Sequence, residues 1–139
     1  MEKVKIQLDD KAYMPVRAHD TDAGADLRTP YGFTLWPGEF KAIDTGVHVE
    51  IPEGYMVEVR SKSGLMRNLG VFTDGTIDQG YSGSIGVVLF NHSNGVRKFK
   101  AGDKIAQIVF TKIDTPEFIQ VEKITGGERG AAGFGSTGR

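Results

Sequence analysis

One acidic and one aromatic residue lie inside a glycine-framed stretch, and their types and spacing could do chemistry. The stretch runs from Gly75 to Gly83 and places Asp78 after Thr76-Ile77, with Tyr81 three residues later. Glycines let the backbone turn sharply and come close to a ligand. A hairpin here could present backbone N–H and C=O groups to a flat polar ring, lay the tyrosine under a sugar and hold a carboxylate beside a reacting atom. An ordinary β-turn is the alternative, because turns favour Gly and Asp.

A second candidate segment is the glycine-rich C-terminus. From Thr125 onward the apolar periodicity ends and six of the last fifteen residues are glycine, which is typical of a mobile tail. However, Arg129 precedes the run Gly133 to Gly138 (GFGSTG). Glycine backbone with Arg, Ser and Thr can wrap phosphates. The run is neither a dinucleotide fingerprint, because no helix follows it, nor a Walker loop, because it lacks GK[ST].

Composition limits the class of protein. The chain has 139 residues, with 39% hydrophobic and 25% charged residues, which predicts one globular domain. It has no membrane-length apolar run, and the N-terminus lacks a signal-peptide core, so we expect no membrane association. The lack of cysteine fits a reducing, cytoplasmic location. A net charge of −1 argues against a general nucleic-acid binder.

Short apolar runs separated by turn signals predict an all-β sandwich or barrel without a second domain. Turns are predicted at Pro37-Gly38 and Gly102-Asp103, and a hairpin at Asn94-Gly95. The apolar run 87–90 predicts a strand buried on both faces. The other predicted strands are residues 4–8, 33–35, 40–44, 47–51, 57–60, 105–110 and 119–121.

One helical turn and one polar loop complete the prediction. Residues 61–68 form the only plausible helical turn, with Ser63 as a possible N-cap. Residues 19–26 (HDTDAGAD) are predicted to be a loop, and their aspartates raise the possibility of calcium binding. That fit is poor, because the fifth and twelfth positions of an EF-hand loop would be Gly24 and Tyr31. The three histidines have no nucleophile or metal spacing, so we expect surface or satisfied side chains.

Five separated segments together resemble the motifs of the trimeric dUTPase family. Each motif is weak alone, but all five occur in the family's order and cover nearly the whole chain. They are residues 23–27 (AGADL), 62–65 (KSGL), 75–83, 102–107 (GDKIAQ) and 129–138.

The resemblance implies an all-β subunit, a distorted jelly roll or β-clip with one short helical turn, assembled as a homotrimer. Active sites would lie at subunit interfaces. Residues 1–124 would form the core, and residues 125–139 an arm that closes over a site. The family hydrolyses dUTP to dUMP and pyrophosphate with Mg²⁺, which limits uracil in DNA and supplies dUMP.

The resemblance also assigns roles by position. Asp78 would orient and deprotonate the water that attacks the α-phosphorus, and Tyr81 would pack under the deoxyribose. Asp26 would act on the metal through water. The 75–83 backbone would pair with uracil. The other implied substrate-binding residues are Lys62, Ser63, Gly64, Gly75, Thr76, Ile77, Gln107, Arg129, Phe134, Gly135, Ser136 and Thr137.

The sequence departs from the family's usual pattern at a few positions. Lys62 stands where arginine usually precedes Ser-Gly, so it supplies charge without a bidentate fork. Gly80 replaces a common acidic residue, and the segment between Leu65 and Gly75 is a few residues shorter than in many members.

Two other functions are alternatives to dUTP hydrolysis. A dCTP deaminase resembles the same fold, but its relatives need a catalytic glutamate and lack the arm at 129–138. A non-catalytic protein that senses dUTP would lack the base or the arm, whereas Asp78 and the arm are both present. An additional protein partner is compatible with the sequence.

Overall fold

The computed structural model describes residues 3–138, and their regular secondary structure is β-strand apart from one short helix. No helix in this part of the chain is long and apolar enough to cross a membrane. The elements are β1 (Ile6–Leu8), β2 (Gly24–Arg28), β3 (Phe33–Leu35), β4 (Phe40–Asp44), β5 (Val47–Val49), β6 (Tyr55–Arg60), α1 (Ser63–Leu69), β7 (Val71–Phe72), β8 (Asp74–Ile77), β9 (Gly86–Asn91), β10 (Arg97–Phe99) and β11 (Lys104–Lys112).

Two larger sheets and two strand pairs surround one hydrophobic core. The four-stranded sheet has the order β2-β11-β6-β8, and the three-stranded sheet has the order β4-β9-β7. Strand β1 pairs with β5 and strand β3 with β10. All these pairings are antiparallel. The all-β prediction is therefore confirmed, and the core takes side chains from both larger sheets.

Strand β9 differs from its prediction as a strand buried on both faces. Val87 and Leu89 are buried, whereas Val88 and Phe90 are exposed on the other face. Phe90 lies between Phe40 and Phe72, with ring centroids 5.5 Å from each. This outer aromatic face (Phe40, Phe72 and Phe90) is exposed because the described chain covers the three-stranded sheet on its inner side alone.

Neither predicted hairpin forms. Strand β9 pairs with β4 and β7, whereas β10 pairs with β3, so the Asn94-Gly95 turn carries the chain to another sheet. The buried Asn91 amide donates to Gly95 O across this turn and to Leu35 O on β3. Likewise β8 pairs with β6 while β9 pairs with β4, so residues 78–85, here named the Asp78 loop, cross from one sheet to the other.

The predicted helical turn forms with a different cap. Lys62, in extended conformation, is the N-cap residue and makes no side-chain capping bond, so Ser63 is the first helical residue. The helix ends at Gly70, whose φ of 66° is left-handed and favours glycine. The loop predicted at 19–26 ends earlier, because β2 begins at Gly24 and pairs with β11.

The C-terminal part of the described chain lies outside the sheets. The last strand ends at Lys112, and the strand predicted at 119–121 does not form. Phe118 and Ile119 are 92% and 77% exposed. A strand needs a hydrogen-bonding neighbour, and within residues 3–138 no strand pairs with this segment.

Candidate active site

A buried carboxylate at one end of β6 binds two lysines. Asp26 on β2 has a side chain only 8% exposed, and its Oδ1 accepts a hydrogen bond from Lys62 Nζ. Its Oδ2 lies 3.0 Å from Lys104 Nζ at the start of β11. Burial alone favours the neutral acid, but the hydrogen bonds and charges of the two lysines outweigh it and lower the pKa of Asp26. The carboxylate is therefore ionised at neutral pH.

Gln107 lies beside this ion pair because β11 is the neighbour of both β2 and β6. It pairs with Asp26 on one side and with Arg60 on the other. Its Nε2 donates to Ser61 O at 2.9 Å, which fixes the amide at the start of the turn into α1. Gly24 makes room for this side chain, since a Cβ there would lie 2.0 Å from Gln107 Oε1.

Ser63 and Gly64 follow Lys62 at the start of α1, and both are exposed. The structure therefore brings together several of the predicted substrate-binding residues and adds Lys104, which sequence reasoning had not singled out. Its position in the GDKIAQ segment was visible, but the strand register that brings it to Asp26 was not. We name the group of Asp26, Lys62, Ser63, Gln107 and Lys104 the Asp26 cluster.

The Asp78 loop forms a second group at the other end of β6. Gly75, Thr76 and Ile77 lie on β8, and the exposed Asp78 follows directly. A turn joins Asp78 O to the N–H of Tyr81 at 3.2 Å. The cleft beside it measures about 280 Å³ and is lined by Thr76, Ile77, Asp78, Tyr81, Ile85 and Gly86.

Tyr81 lies over its own loop. Its hydroxyl donates to Ser84 O at 2.9 Å. The ring packs so closely on Gly83 that a Cβ there would lie 2.4 Å from the Tyr81 hydroxyl. Glycine at this position therefore lets the aromatic ring sit flat beside the cleft.

The two groups do not meet within one chain. Gln107 and Asp74 both pair with Arg60, whereas Asp78 lies four residues beyond Asp74. At about 3.3 Å per residue, Asp78 is roughly 13 Å from the Arg60 end of the strand. A reaction that needs both groups must therefore use groups from different chains or a substrate that spans this distance.

The arm residues form a third, separate group. The Arg129 guanidinium donates to Ala132 O and Gly133 O, at 2.6 and 2.9 Å, and Phe134 is fully exposed. Gly135, Ser136 and Thr137 are also exposed. Within the described part of the chain, no hydrogen bond joins residues 125–138 to the strands.

In the described chain, the aspartates of residues 19–26 do not form a calcium site. At the surface, Asp22 Oδ2 accepts from the backbone N–H of His19 and the Asp22 backbone O accepts from Arg17 Nε, whereas the Asp26 carboxylate is buried against lysines. Among residues 3–138, no three His, Cys, Asp or Glu side chains are grouped to hold a metal ion. A metal here would need ligands from a bound substrate.

Comparison with known proteins identifies the family. The dUTPase family model matches residues 10–138. The deoxyuridine 5′-triphosphate nucleotidohydrolase of Nautilia profundicola is 43% identical over 99% of this chain and 99% of its own. That of Clostridium tetani is 40% identical, over 99% and 96%.

Solved structures agree with the sequence comparison. A mutant dUTPase of Staphylococcus bacteriophage 80alpha, solved with dUpNHpp, superposes with a TM-score of 0.94 at 32% identity, and both chains are covered fully. A mutant dUTPase of S. aureus phage phi11, described with a structural Mg(II) ion, gives a TM-score of 0.84 at 31% identity, covering 90% of this chain and 100% of that one. Matched by the family model over nearly its full length and by these relatives, the chain belongs to the dUTPase family.

Proposed function

We propose that this chain hydrolyses dUTP to dUMP and pyrophosphate, thereby limiting uracil in DNA and supplying dUMP. The single observation that carries the proposal is the Asp78 loop, which places one carboxylate and one aromatic ring at the same small cleft. Relatives about 40% identical over nearly the whole chain carry the name of this activity.

In the proposed reaction, Asp78 orients a water molecule and takes its proton as the water attacks the α-phosphorus. Water is a poor nucleophile at neutral pH, and a positioned general base contributes typically about 10²–10⁴-fold. Asp78 is exposed at the cleft, so a water molecule can reach its carboxylate.

Base and sugar selection are assigned to β8 and Tyr81. Strand β8 is at the edge of its sheet, so one side of the backbone from Gly75 to Ile77 has no strand partner in the described chain. Such an edge can pair with the polar edge of uracil and leave no space for a 5-methyl group. The ring of Tyr81 would lie under the deoxyribose and exclude a 2′-hydroxyl.

The Asp26 cluster and the arm would bind the triphosphate. Lys62, Ser63 and Gln107 are assigned to phosphate oxygens and ordered water. Arg129, Ser136 and Thr137 would bind the terminal phosphate, and Phe134 would lie over uracil. A cationic and N–H-rich environment stabilises negative charge that develops during phosphoryl transfer.

The donor set fits Mg²⁺ bound mainly through the substrate. Mg²⁺ commonly takes one or two carboxylates together with phosphate oxygens and water. Asp26 would hold it through water, because each carboxylate oxygen has a further acceptor position beyond its lysine bond. The ion would offset the negative charge of the triphosphate.

We further propose a homotrimer of jelly-roll or β-clip subunits with shared active sites. The separation of the Asp78 loop from the Asp26 cluster along β6 supports this arrangement. So does the outer aromatic face, because large exposed apolar patches mark interaction surfaces. The arm of residues 125–139 would close over a neighbour's site, leaving residues 1–124 as the core.

The test is to incubate the protein with each deoxynucleoside triphosphate, or UTP, plus Mg²⁺ and to measure pyrophosphate. We expect release from dUTP and little from dTTP or UTP. Conversion of dCTP to dUTP would favour the deaminase instead. Tight dUTP binding without pyrophosphate would favour the sensing protein. Cleavage of dTTP as fast as dUTP would remove the proposed role of β8.

A further inference from the structure

His48 on β5 makes a hydrogen bond through each of its ring nitrogens. Its Nδ1 lies 2.7 Å from Ser82 O, in the Asp78 loop, and its Nε2 lies 2.9 Å from Asp9 Oδ1, in the turn after β1. The side chain is only 20% exposed. The imidazole therefore bridges the N-terminal strand pair and the loop that carries Asp78 and Tyr81.

Both partners of His48 are acceptors. A backbone carbonyl and a carboxylate can only accept, and a neutral imidazole has a single N–H to donate. The two bonds can therefore be made together only by the protonated ring. The surroundings of His48 also favour the protonated ring. The pKa of His48 is raised mainly by the hydrogen bond to the Ser82 carbonyl, then by Asp9, and also by the charge of Asp44.

The bond to Ser82 lies next to the residue that would bind the sugar. Two other side chains anchor the loop farther from Tyr81: the Ser84 hydroxyl donates to Asp44 and accepts from the N–H of Gly46 at 2.9 Å, and the Thr45 hydroxyl donates to Ile85 O at 2.7 Å. Ser84 O receives the hydroxyl of Tyr81. In the described chain, His48 is thus the side-chain anchor nearest to Tyr81 outside the loop itself.

We propose that protonated His48 is a positioning residue that holds the Asp78 loop in its reactive conformation and so makes turnover depend on its proton. The inference rests on the proposed function, because it concerns the same loop. Neither ring nitrogen needs to touch the substrate. Loss of the proton leaves two acceptors facing a single donor, so one of the two bonds breaks.

The charged groups around His48 are few and of mixed sign. Asp9 faces it from the turn after β1 and Asp44 from the end of β4, while its cross-strand neighbour Gln7 is neutral. Lys5 and Glu50 pair with each other at 3.0 Å. The cleft beside His48 measures about 770 Å³, and its charged lining residues besides His48 are Lys3, Lys5, Glu50 and Glu53.

The sign of the pH dependence follows from the raised pKa. The folded protein binds the His48 proton more tightly than the unfolded chain does. The stabilisation of the loop is therefore complete below the ordinary histidine pKa of about 6.5 and is lost as pH rises through the raised value. Turnover should fall over the same range.

Two variants distinguish the effect of the His48 proton from the effect of the His48 side chain itself. In Asp9→Asn, the amide can donate to a neutral Nε2 while Nδ1–H donates to Ser82, so both bonds survive without a charge. This variant should keep its turnover at alkaline pH. In His48→Gln, both N–H donors lie on one nitrogen and the amide oxygen can only accept, so the side chain cannot replace two separate ring N–H groups and turnover should be low at every pH.

His19→Gln is the matched control. His19 also contacts an aspartate, with Nδ1 3.2 Å from Asp22 Oδ2, but it is far more exposed and lies outside the Asp78 loop. Its replacement should leave the dUTP pH–rate profile unchanged.

Misplacement of about 1 Å can cost on the order of 10²-fold in rate, so we expect His48→Gln to lower kcat by about 10- to 100-fold.

The experiment combines the pH profile of kcat with NMR titration of the His48 ring, assigned by its loss in His48→Gln. We expect a His48 pKa above the ordinary histidine value of about 6.5, a fall of kcat with the same midpoint, and a lower His48 pKa in Asp9→Asn. A His48 pKa at or below the ordinary value of about 6.5, or a His48→Gln profile equal to that of His19→Gln, would overturn the proposal. Lack of dUTP hydrolysis at every pH would instead overturn the proposed function, and the titration would then decide the protonation of His48.

Discussion

Gly24 on β2 and Gln107 on β11 are neighbours so close that a Cβ on Gly24 would lie 2.0 Å from Gln107 Oε1. The missing side chain is what lets the glutamine lie across β2 and reach Ser61 O. Gly24→Ala should displace the Gln107 amide and lower dUTP turnover, because misplacement of about 1 Å can cost on the order of 10²-fold. The atoms that must move are the far end of the flexible Gln107 side chain, so stability should fall only by the lost hydrogen bond to Ser61 O, about 0.5–1.5 kcal/mol. Steady-state kinetics and thermal unfolding measure the two effects.

Gln107→Ala provides the background that isolates this contact. With the amide removed, Gly24→Ala should add little further loss of turnover, since coupled residues give non-additive effects. Equal losses in both backgrounds would mean that Gly24 acts on something other than Gln107.

Lys62→Met should make the fold more sensitive to acid. The pKa of Asp26 is lowered in the folded state, so the ionised carboxylate stabilises the fold. This stabilisation is complete above the ordinary carboxyl pKa of about 3.9 and is lost as pH falls through the lowered value. Without Lys62, the pKa of Asp26 rises. Unfolding at pH 7 should become easier by about 1–3 kcal/mol, and the acid midpoint should move to higher pH.

Lys5→Met is the control for this change of charge. Lys5 pairs with Glu50 at 3.0 Å, but their side chains are 83% and 65% exposed. Exposed pairs contribute about 0–1 kcal/mol, so this variant should keep the wild-type acid midpoint. Identical acid transitions for Lys62→Met and Lys5→Met would argue against the importance of the buried pair.

Asp78→Asn should lower kcat for dUTP by about 10²–10⁴-fold, because asparagine cannot take the proton of the attacking water. Affinity for a non-hydrolysable dUTP analogue should change little, since the side chain keeps its shape. Single-turnover kinetics and calorimetry distinguish the two. Near-normal turnover by this variant would remove Asp78 from the base role.

Deletion of residues 125–139 should leave the fold stable but the enzyme slow. No hydrogen bond joins the described arm to the strands, so the melting temperature should change by only a few degrees. Turnover should fall because the deletion removes the positive charge that Arg129 would place on the terminal phosphate. It also removes the segment that would cover the site. Hydrogen exchange should show arm amides becoming protected when the analogue and Mg²⁺ bind.

Arg129→Ala and Glu128→Ala refine this test. The two residues are adjacent and both exposed, but only Arg129 is assigned to the phosphate. Arg129→Ala should lower dUTP turnover and Glu128→Ala should not. Full activity of the truncated protein, together with no protection of arm amides in the full-length protein when the analogue binds, would mean that the arm has no role in the reaction.

The strands could be predicted from sequence where local patterns decide them. Alternating apolar residues such as Val57 and Val59 reveal a half-buried strand directly. Asp78 follows Thr76-Ile77 in the sequence, and the structure places it directly after β8. In contrast, Asn94-Gly95 is a strong hairpin signal that failed, because β10 has its partner in β3.

What could not be predicted depends on contacts between distant segments. Lys104 reaches Asp26 only through the register of β11 against β2, which includes a shift between Lys104 and Ala106. Likewise, Phe90 is a large apolar residue of the kind found in cores, but it faces outward. Ile119 and Val121 alternate with polar residues as in a strand, but no strand of the described chain pairs with them. Periodicity reports that a face is apolar, but not which molecule covers it.

The distance between the Asp26 cluster and the Asp78 loop along β6 has a genetic consequence. In the proposed trimer, each site takes these two groups from different chains. Two defective alleles, one encoding Gly24→Ala and the other Asp78→Asn, can therefore complement each other, since a mixed trimer contains a site built from two intact halves. By the same geometry, a single defective subunit inactivates only the sites that contain its damaged group, and the other sites of the trimer stay active.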